Sequence, residues 1–326
     1  MSVQNRRQAE LLAPAGGMNQ LYAAVENGAD AVYLGGKFFN ARMNADNFSF
    51  EQLQEAIGYA HLRNVKVYIT MNVLISDEEL EEAVGYAARL YGMGVDGIIL
   101  QDLGLADALR KTLPDLPLHF STQGTVYNAS GVRTAAKLGF RRVVLARELT
   151  LTEIKSIAAE QICQLEVFVH GALCMCYSGQ CHLSRAIGGR SANRGECAQP
   201  CRLPYTDENG IEGYHLSPKD LCAIDQLGSL LAAGVTSFKI EGRMKSPEYV
   251  ATVTRIYRKY LDIALRGKEY AVEAKDREDL LQAFNRGGFT QGYLLGQPGQ
   301  KLLSGRIPKH QGVLVGKVLA RPKETD

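Results

Sequence analysis

The sequence lacks a secretion signal, a long apolar run and an excess of charge of either sign. No apolar stretch of signal length follows its first residues, and no run approaches the roughly 18 apolar residues that a membrane helix needs. We therefore predict a cytoplasmic protein without a membrane partner. The 37 basic and 35 acidic residues give a net charge of +2. That value neither argues for nor excludes nucleic acid, because binding depends on where the basic residues lie.

Disulfides are not expected either, since the cytosol keeps thiols reduced, and the seven cysteines therefore need another explanation. We predict that Cys163, on a segment without other chemically active residues, is a small buried apolar side chain. The other six cysteines are crowded between Cys174 and Cys222. Four thiolates can hold a tetrahedral zinc ion or the irons of a 4Fe-4S cluster.

The spacing of these cysteines favours the cluster. Paired C-x-x-C knuckles are absent, and gaps of six, fifteen and twenty-four residues separate Cys174, Cys181, Cys197 and Cys222. Such gaps favour ligands from separate loops around one bulky group. Cations that would offset the thiolate charge are Arg194, Arg202 and Lys219. We predict an oxygen-sensitive iron–sulfur site. The alternatives are structural zinc, a catalytic cysteine paired with His170 or His182, and inert buried cysteines.

Short apolar runs alternate with longer amphipathic stretches along the chain. Strands are predicted at 10–15, 31–35, 66–72, 97–102, 118–123, 142–147, 165–170 and 237–241. Helices are predicted near 17–27, 50–63, 77–92, 103–113, 126–138, 151–160, 223–233 and 247–266. Strands joined by crossover helices pair in parallel. Eight such units match the count and size of a (β/α)8 barrel of the TIM type, and an open doubly wound sheet is the alternative.

A long insertion interrupts the seventh unit. Residues 171–222, rich in glycine and cysteine, stand where a short loop is expected, and insertions of this length are usually functional or disordered. We predict a TIM-barrel-like catalytic domain over 8–268 that carries this cysteine-rich insertion after strand 7. A loop-rich connecting segment is predicted over 269–311. The start of a small C-terminal β element, which we expect to be truncated, is predicted over 312–326.

In a barrel of this type the chemistry lies at the carboxyl ends of the strands. Long hydrogen-bonding side chains gather at these positions, which a substrate mouth explains better than turn formation alone. The candidate catalytic residues are Arg42, Gln123, Arg147, His170, Glu241 and Arg243, with Tyr33 as a further lining residue. A lone histidine such as His170 is a structural hydrogen-bonding group about as often as a reactive one.

Several motifs are typical of one protein family. They are Gly171-Ala-Leu-Cys174, Gly179-x-Cys181-x-Leu183-Ser184, Glu10-Leu-Leu-Ala-Pro-Ala-Gly, Ser217-Pro-Lys-Asp-Leu and Phe238-Lys-Ile-Glu-Gly-Arg. Together they resemble the collagenase-like peptidase family U32 over nearly the whole chain. The stretches His170-Gly-Ala-Leu-Cys and Cys201-Arg-Leu-Pro-Tyr look closest to the members that hydroxylate a cytidine of 23S ribosomal RNA.

The resemblance implies two incompatible functions. The historical name implies a protease, whereas better-understood members hydroxylate a 23S rRNA cytidine, a tRNA wobble uridine or ubiquinone precursors. The resemblance also implies a 4Fe-4S cluster held by Cys174, Cys181 and Cys197, which match cluster positions of the quinone-hydroxylating members. The fourth ligand is open between Cys222, which has the edge, and Cys201. Prephenate is implied as a co-substrate of the RNA-modifying members.

We therefore expect an iron–sulfur-dependent enzyme that hydroxylates a pyrimidine in RNA, with the rRNA cytidine favoured over the tRNA wobble uridine. The expected partners are RNA and an accessory or electron-donor protein, and DNA is not expected. A protease is the first alternative, although no H-E-x-x-H motif and no Ser/His/Asp order supports it. A non-enzymatic iron–sulfur scaffold or redox sensor is the second.

Overall fold

Eight parallel strands close into a barrel in the computed structural model, which describes residues 9–42, 45–314 and 316. The barrel strands are β1 (Glu10–Pro14), β2 (Ala31–Leu34), β3 (Lys66–Met71), β4 (Gly97–Leu100), β5 (Leu118–Phe120), β6 (Arg142–Val144), β7 (Gln164–Ala172) and, after three strands of the insertion, β11 (Ser237–Ile240). Strand β11 pairs in parallel with both β1 and β7. The sheet therefore has no free edge at this point, and the predicted (β/α)8 barrel is confirmed over the open sheet.

Eight helices surround the barrel within a few residues of their predicted positions. They are α1 (Met18–Glu26), α2 (Phe50–His61), α3 (Leu80–Gly92), α4 (Leu103–Thr112), α5 (Ala129–Lys137), α6 (Leu151–Ala159), α8 (Leu227–Ala233) and α9 (Pro247–Leu265). Capping side chains determine where several of these helices begin. Ser49 and Thr150 form capping boxes, and Ser246 caps α9 before a proline at its first position. In the described part of the chain, no helix has both the length and the apolarity to span a membrane.

The barrel interior contains a buried ionic network at the amino-terminal ends of the strands. Arg142 lies between the carboxylates of Glu10 and Glu166, and Lys239 Nζ lies 2.9 Å from Glu166 Oε1. Burial raises the pKa of Glu166, but Lys239 and Arg142 outweigh it and hold that pKa at about 2. The network is therefore charged, and it replaces the branched aliphatic layer that usually fills such barrels.

The insertion and the following segment contain more regular structure than the sequence indicated. Their elements are α7 (Leu183–Gly188), β8 (Tyr205–Thr206), β9 (Glu212–Pro218), β10 (Asp220–Cys222), α10 (Ala274–Ala283), β12 (Phe289–Thr290) and β13 (Leu303–Gly305). Strand β10 pairs antiparallel with β7 and parallel with β12, while β13 pairs with β9. The segment over 269–311 thus packs on the insertion, where the sequence indicated a loop-rich connection.

The predicted division into domains stays a prediction. The predicted β element over 312–326 lies mostly outside the described residues. Residues 312–314 and 316 belong to no strand.

Candidate active site

The carboxylate of Glu241 lies at the centre of the barrel mouth, directly after β11. Its Oε1 accepts a hydrogen bond from Arg42 at 3.1 Å, and its Oε2 accepts one from the Tyr33 hydroxyl at 3.2 Å. Burial raises the pKa of Glu241, but Arg42 and the two further arginines of the mouth outweigh it, so the net shift is downward. Glu241 is therefore an anion at neutral pH and acts only as a hydrogen-bond acceptor.

Arg243 is held rigidly beside this carboxylate. Its guanidinium donates to Thr70 Oγ1 at 2.6 Å and to Asn40 Oδ1 at 2.7 Å. A Cβ atom at Gly35 would lie 2.3 Å from the same guanidinium, so only glycine leaves room for it there. Burial lowers the pKa of Arg243 to about 10, and it stays cationic at neutral pH.

Arg147 joins the mouth to the start of the insertion. Its Nε donates to Ser178 Oγ at 3.1 Å, and its Nη1 donates to the Ala172 carbonyl at 3.3 Å. The backbone of Gln123 lies so close to Gly179 that a Cβ atom there would stand 2.0 Å from the Gln123 carbonyl oxygen. The insertion therefore begins in close contact with the loops that follow β5 and β6.

The insertion continues across the mouth to the opposite side. Arg194 forms an ion pair with Glu79 at 2.6 Å, and the Asn193 carbonyl accepts from the Leu74 backbone amide at 3.3 Å. Arg202 donates to the Leu173 carbonyl at 2.9 Å and to Ser217 Oγ at 2.8 Å. One guanidinium thus ties the beginning of the insertion to its end.

Four cysteines of the insertion are grouped beside the mouth. Burial raises the pKa of the Cys201 thiol, Arg202 lowers it, and three neighbouring cysteines raise it further; these are Cys174, Cys197 and Cys181. Cys197 in turn contributes to the raised pKa of Arg42, the partner of Glu241. The cysteine group and the central carboxylate are thus linked through Arg42.

Two features qualify this group. Cys176, which matched no cluster position, lies close to Cys181 and Cys174, since both raise the pKa of its thiol in addition to burial. Within residues 9–42, 45–314 and 316, no three His, Cys, Asp or Glu side chains converge closely enough to hold one metal ion. A 4Fe-4S cluster makes a different demand, because each thiolate binds its own iron.

The pattern of peptidase family U32 matches residues 16–304. The chain belongs to this family. It is similar to the 23S rRNA 5-hydroxycytidine synthase of Escherichia coli (strain K12), with 44% identity over 80% of this chain and 40% of that protein.

Two further relatives carry different names. A tRNA hydroxylation protein of Bacillus subtilis (strain 168) is 36% identical over 98% of this chain and 79% of its own length. A collagenase of Porphyromonas gingivalis is 38% identical over 88% of this chain and 74% of its own length. Of the Escherichia coli relative, by contrast, this U32 chain covers 40%, which is less than half of its length.

Cys222 lies apart from the cysteine group of this U32 chain. Its side chain belongs to the main apolar core, where 7% of it is exposed, and its sulfur accepts from the Tyr257 hydroxyl at 3.7 Å. Burial raises its pKa, and the charges that act on it belong to Asp225 and Arg277. The structure thus has Cys222, which the sequence favoured as the fourth ligand, in the core, and we propose Cys201, the alternative, in its place.

His170 is likewise removed from the mouth, where the sequence had it as a catalytic candidate. Its ring packs against Tyr249 and Tyr257 of α9 and Phe289 of β12. Its Nδ1 lies 3.1 Å from the Tyr257 hydroxyl, and its Nε2 has no partner among the described residues. Burial, with a contribution from Lys245, lowers its pKa to about 3. His170 is a neutral core residue.

This burial predicts a pH dependence of stability. The folded pKa of His170 is depressed below the ordinary value of 6.5, so unfolding takes up a proton between pH 6.5 and about 3. We expect the free energy of unfolding to fall with decreasing pH by about 1.4 kcal/mol per unit for this proton. His170→Asn, which keeps a polar atom near Nδ1, should remove that share of the slope between pH 6 and 4. Urea unfolding of both proteins measures it, and an unchanged slope would contradict the assignment.

Two residues that support the mouth were missed by the sequence reasoning. Thr70 lies inside β3, where a single hydroxyl in an apolar run gave no sign that it faces Arg243. Ser178 lies in an insertion whose path the sequence does not reveal, and the motif Gly179-x-Cys181 marked its position but not its partner. Arg202 was predicted as a cation beside the cysteines, but its bonds to Leu173 and Ser217 were not.

Proposed function

We propose that this chain is an iron–sulfur-dependent enzyme that hydroxylates a pyrimidine base in RNA, with the 23S rRNA cytidine favoured over the tRNA wobble uridine. The observation that carries the proposal is the grouping of Cys174, Cys181, Cys197 and Cys201 beside a mouth centred on Glu241. The names of the Escherichia coli and Bacillus subtilis relatives support RNA hydroxylation as the reaction.

The four grouped cysteines would hold a 4Fe-4S cluster. Thiolates are the ligands that such clusters take, and the guanidinium groups of Arg202 and Arg42 would offset part of their negative charge. Such a cluster supplies electron transfer or activation of an oxygen donor. Arg42 would then interact with both the cluster ligand Cys197 and the Glu241 carboxylate that contacts the substrate.

The mouth suits a pyrimidine that has left its stack. An enzyme that modifies a base in RNA must first expose it, and reads its edge by hydrogen bonds. The ionised Glu241 can accept a hydrogen bond from the exocyclic amino group of cytosine, as acidic side chains do in base recognition. Uracil offers an acceptor at the same position, so the carboxylate disfavours it. The choice of cytidine over uridine rests on this chemistry.

The face around the mouth also fits a macromolecular partner. Large apolar side chains exposed at the carboxyl ends of the strands and on the insertion include Phe38, Leu74, Leu103, Tyr127, Met175, Tyr177, Leu203 and Met244. Exposed apolar groups gathered on one face mark interaction sites. We propose prephenate as a co-substrate in the same mouth, where arginines such as Arg42 and Arg147 supply the groups that bind carboxylates.

Glu241→Gln tests the proposed reaction. The substitution keeps the shape but removes the charge that accepts from the cytosine amino group. A hydrogen bond to a charged group contributes about 1.5–3 kcal/mol, so we expect about ten- to a hundredfold less hydroxycytidine. The measurement is mass spectrometry of nucleosides from rRNA and tRNA, in cells that lack the chain and receive either variant. Glu82→Gln, on the exposed surface of α3, is the matched control. Unchanged RNA in the strain without the chain would refute the proposal.

A protease is the second candidate, because the Porphyromonas gingivalis relative is named a collagenase. Its nucleophile would have to come from the cysteine group, which the first proposal commits to iron. Cleavage of gelatin or casein by the chain after removal of iron would favour the protease. Loss of RNA hydroxylation on the same treatment favours the hydroxylase.

A further inference from the structure

A second cavity lies outside the barrel mouth, between the loop after β2 and the helices α2 and α3. Its volume is about 170 Å³, and its aromatic lining includes Phe38, Phe50 and Tyr86. An apolar cavity of about 150 Å³ is large enough for a benzene molecule. The cavity thus has room for one planar ring, and the residues of the mouth do not line it.

The aromatic rings form a slot. Phe38 and Phe50 both contact Tyr86, with ring centroids 5.7 and 5.6 Å away and planes inclined by 75° and 58°. Tyr86 is buried and forms the floor, whereas 46% of Phe38 is exposed and forms an outer wall. Phe38 therefore lies on the solvent side of the slot, where an aromatic ring can stack against a planar ligand.

Cations stand at the rim of the slot. The guanidinium of Arg89 lies 3.4 Å from the centroid of the Phe50 ring, and Lys37 is exposed next to Phe38. One carboxylate, Glu51, stands among them and accepts from the Ser49 hydroxyl at 2.8 Å. The rim therefore keeps a net positive charge, which suits a phosphate beside a stacked ring.

The slot and the mouth share one loop. Phe39, which also packs against Tyr86, has φ of +58°, a conformation that bulky residues rarely adopt. Immediately after it, Asn40 turns into the mouth to hold Arg243, and Arg42 reaches Glu241. Arg42 is the fourth residue after Phe38, so their Cα atoms are at most roughly 14 Å apart. Neighbouring nucleotides of an unstacked strand can bridge that distance.

We propose that this slot binds a second unpaired base of the RNA whose target pyrimidine enters the mouth. This inference rests on the proposed function and deepens it, because it makes single-stranded RNA around the target the recognised form. The ring would stack on Phe38, and its phosphate would meet Lys37 and Arg89. The turn at Phe39 fixes the two base positions relative to each other.

Phe38→Ala tests the inference. Stacking on one aromatic side chain accounts for about five- to a hundredfold in affinity. The full chain should therefore bind a fluorescein-labelled, twelve-nucleotide single-stranded RNA of mixed sequence that much more weakly in an anisotropy titration. Phe38→Leu should fall between the two, because it keeps apolar area but loses the ring. Tyr91→Ala, at the far end of α3, is the matched aromatic control and should bind like the unchanged chain.

The salt dependence separates stacking from phosphate contacts. Phe38→Ala should leave the slope of log Kd against log salt unchanged, whereas Lys37→Gln should reduce it. If Phe38→Ala binds RNA with unchanged affinity while Glu241→Gln still loses RNA hydroxylation, the proposal for the slot is wrong and the proposed function stands. Absence of both RNA binding and hydroxylation in the unchanged chain overturns the proposed function as well. If Phe38→Ala converts a dimer to a monomer in light scattering and binds RNA normally, the slot belongs to a protein interface.

Discussion

Replacing Cys201 with serine is expected to abolish iron–sulfur binding, whereas replacing Cys222 with alanine leaves it intact. Cys174, Cys181 and Cys197 all raise the pKa of the Cys201 thiol, so these four cysteines are close neighbours, and we propose Cys201 as the fourth ligand. Cys222 lies in the apolar core beside Tyr257. A cluster with one ligand removed loses iron or becomes labile, while the loss of a buried sulfur costs only packing.

Anaerobic purification decides between the two cysteines. Iron and sulfide content and the visible absorbance of the cluster are measured on the unchanged chain and on both variants. Cys176→Ser is the matched control within the insertion, since that cysteine lies near the others without matching a cluster position. Loss of iron in Cys222→Ala with full iron in Cys201→Ser would reverse the assignment of the fourth ligand. If the unchanged chain contained zinc and no iron, the prediction of an iron–sulfur cluster would be refuted.

A further cysteine variant tests whether the cluster takes part in the reaction. If the proposed function holds, Cys181→Ala should lose RNA hydroxylation while its circular dichroism spectrum stays that of the folded barrel. A chain without iron that still hydroxylates RNA would make the cluster a scaffold or a redox sensor. Such a result would leave Glu241 and its arginines as the reactive part of the molecule.

Most of the barrel could be predicted because its signals are local. Each strand is a short apolar run between turn residues, and helices such as α9 begin with a cap and a proline that need no tertiary context. Regular alternation then fixed the count at eight. The mouth followed from the fold, since the strand ends of a barrel converge on one face. Arg42, Glu241 and Arg243 were predicted on that ground, and the structure brings them together.

Cys222 and His170 could not be assigned in the same way. Cys222 ends β10 and His170 lies near the end of β7, but the direction of their side chains depends on the pairing of these two strands, in which Cys222 stands opposite His170. A strand of three residues inside an insertion is too short for an alternation pattern to reveal its buried face. In the sequence, Cys222 is near the other cysteines and was therefore grouped with them. In the fold, the pairing of its strand directs its side chain into the core.

The ionic layer inside the barrel was also beyond the sequence. Glu10, Arg142 and Glu166 lie on strands that are distant in the chain, and each alone is an ordinary charged residue at or near a strand start. Only the closed barrel brings them together, with the Ser237 hydroxyl between the two carboxylates, 3.1 Å from Glu10 Oε1 and 3.0 Å from Glu166 Oε2. Such a layer has a large effect on stability, because each charge depends on the others.

Glu166→Gln is therefore expected to destabilise the fold by about 3–5 kcal/mol, the usual cost of removing one partner of a buried ion pair. Glu166 is fully buried, and its loss leaves Arg142 and Lys239 without their shared counter-ion. Glu160→Gln is the matched control, because it breaks an exposed ion pair with Arg133 and should cost less than about 1 kcal/mol. Urea unfolding near pH 7 measures both, and equal small effects would refute the prediction.

Acid provides an independent check on the same residue. The folded pKa of Glu166, about 2, is depressed below the ordinary 4.5. Its stabilising contribution is therefore complete above pH 4.5 and is lost as the pH falls towards 2. Glu166→Gln should lose stability less steeply than the unchanged chain over this range. In the double variant Glu166→Gln with Lys239→Met, one positive charge leaves with the negative one. We expect it to recover part of the lost stability, because burial then costs less for the charges that remain.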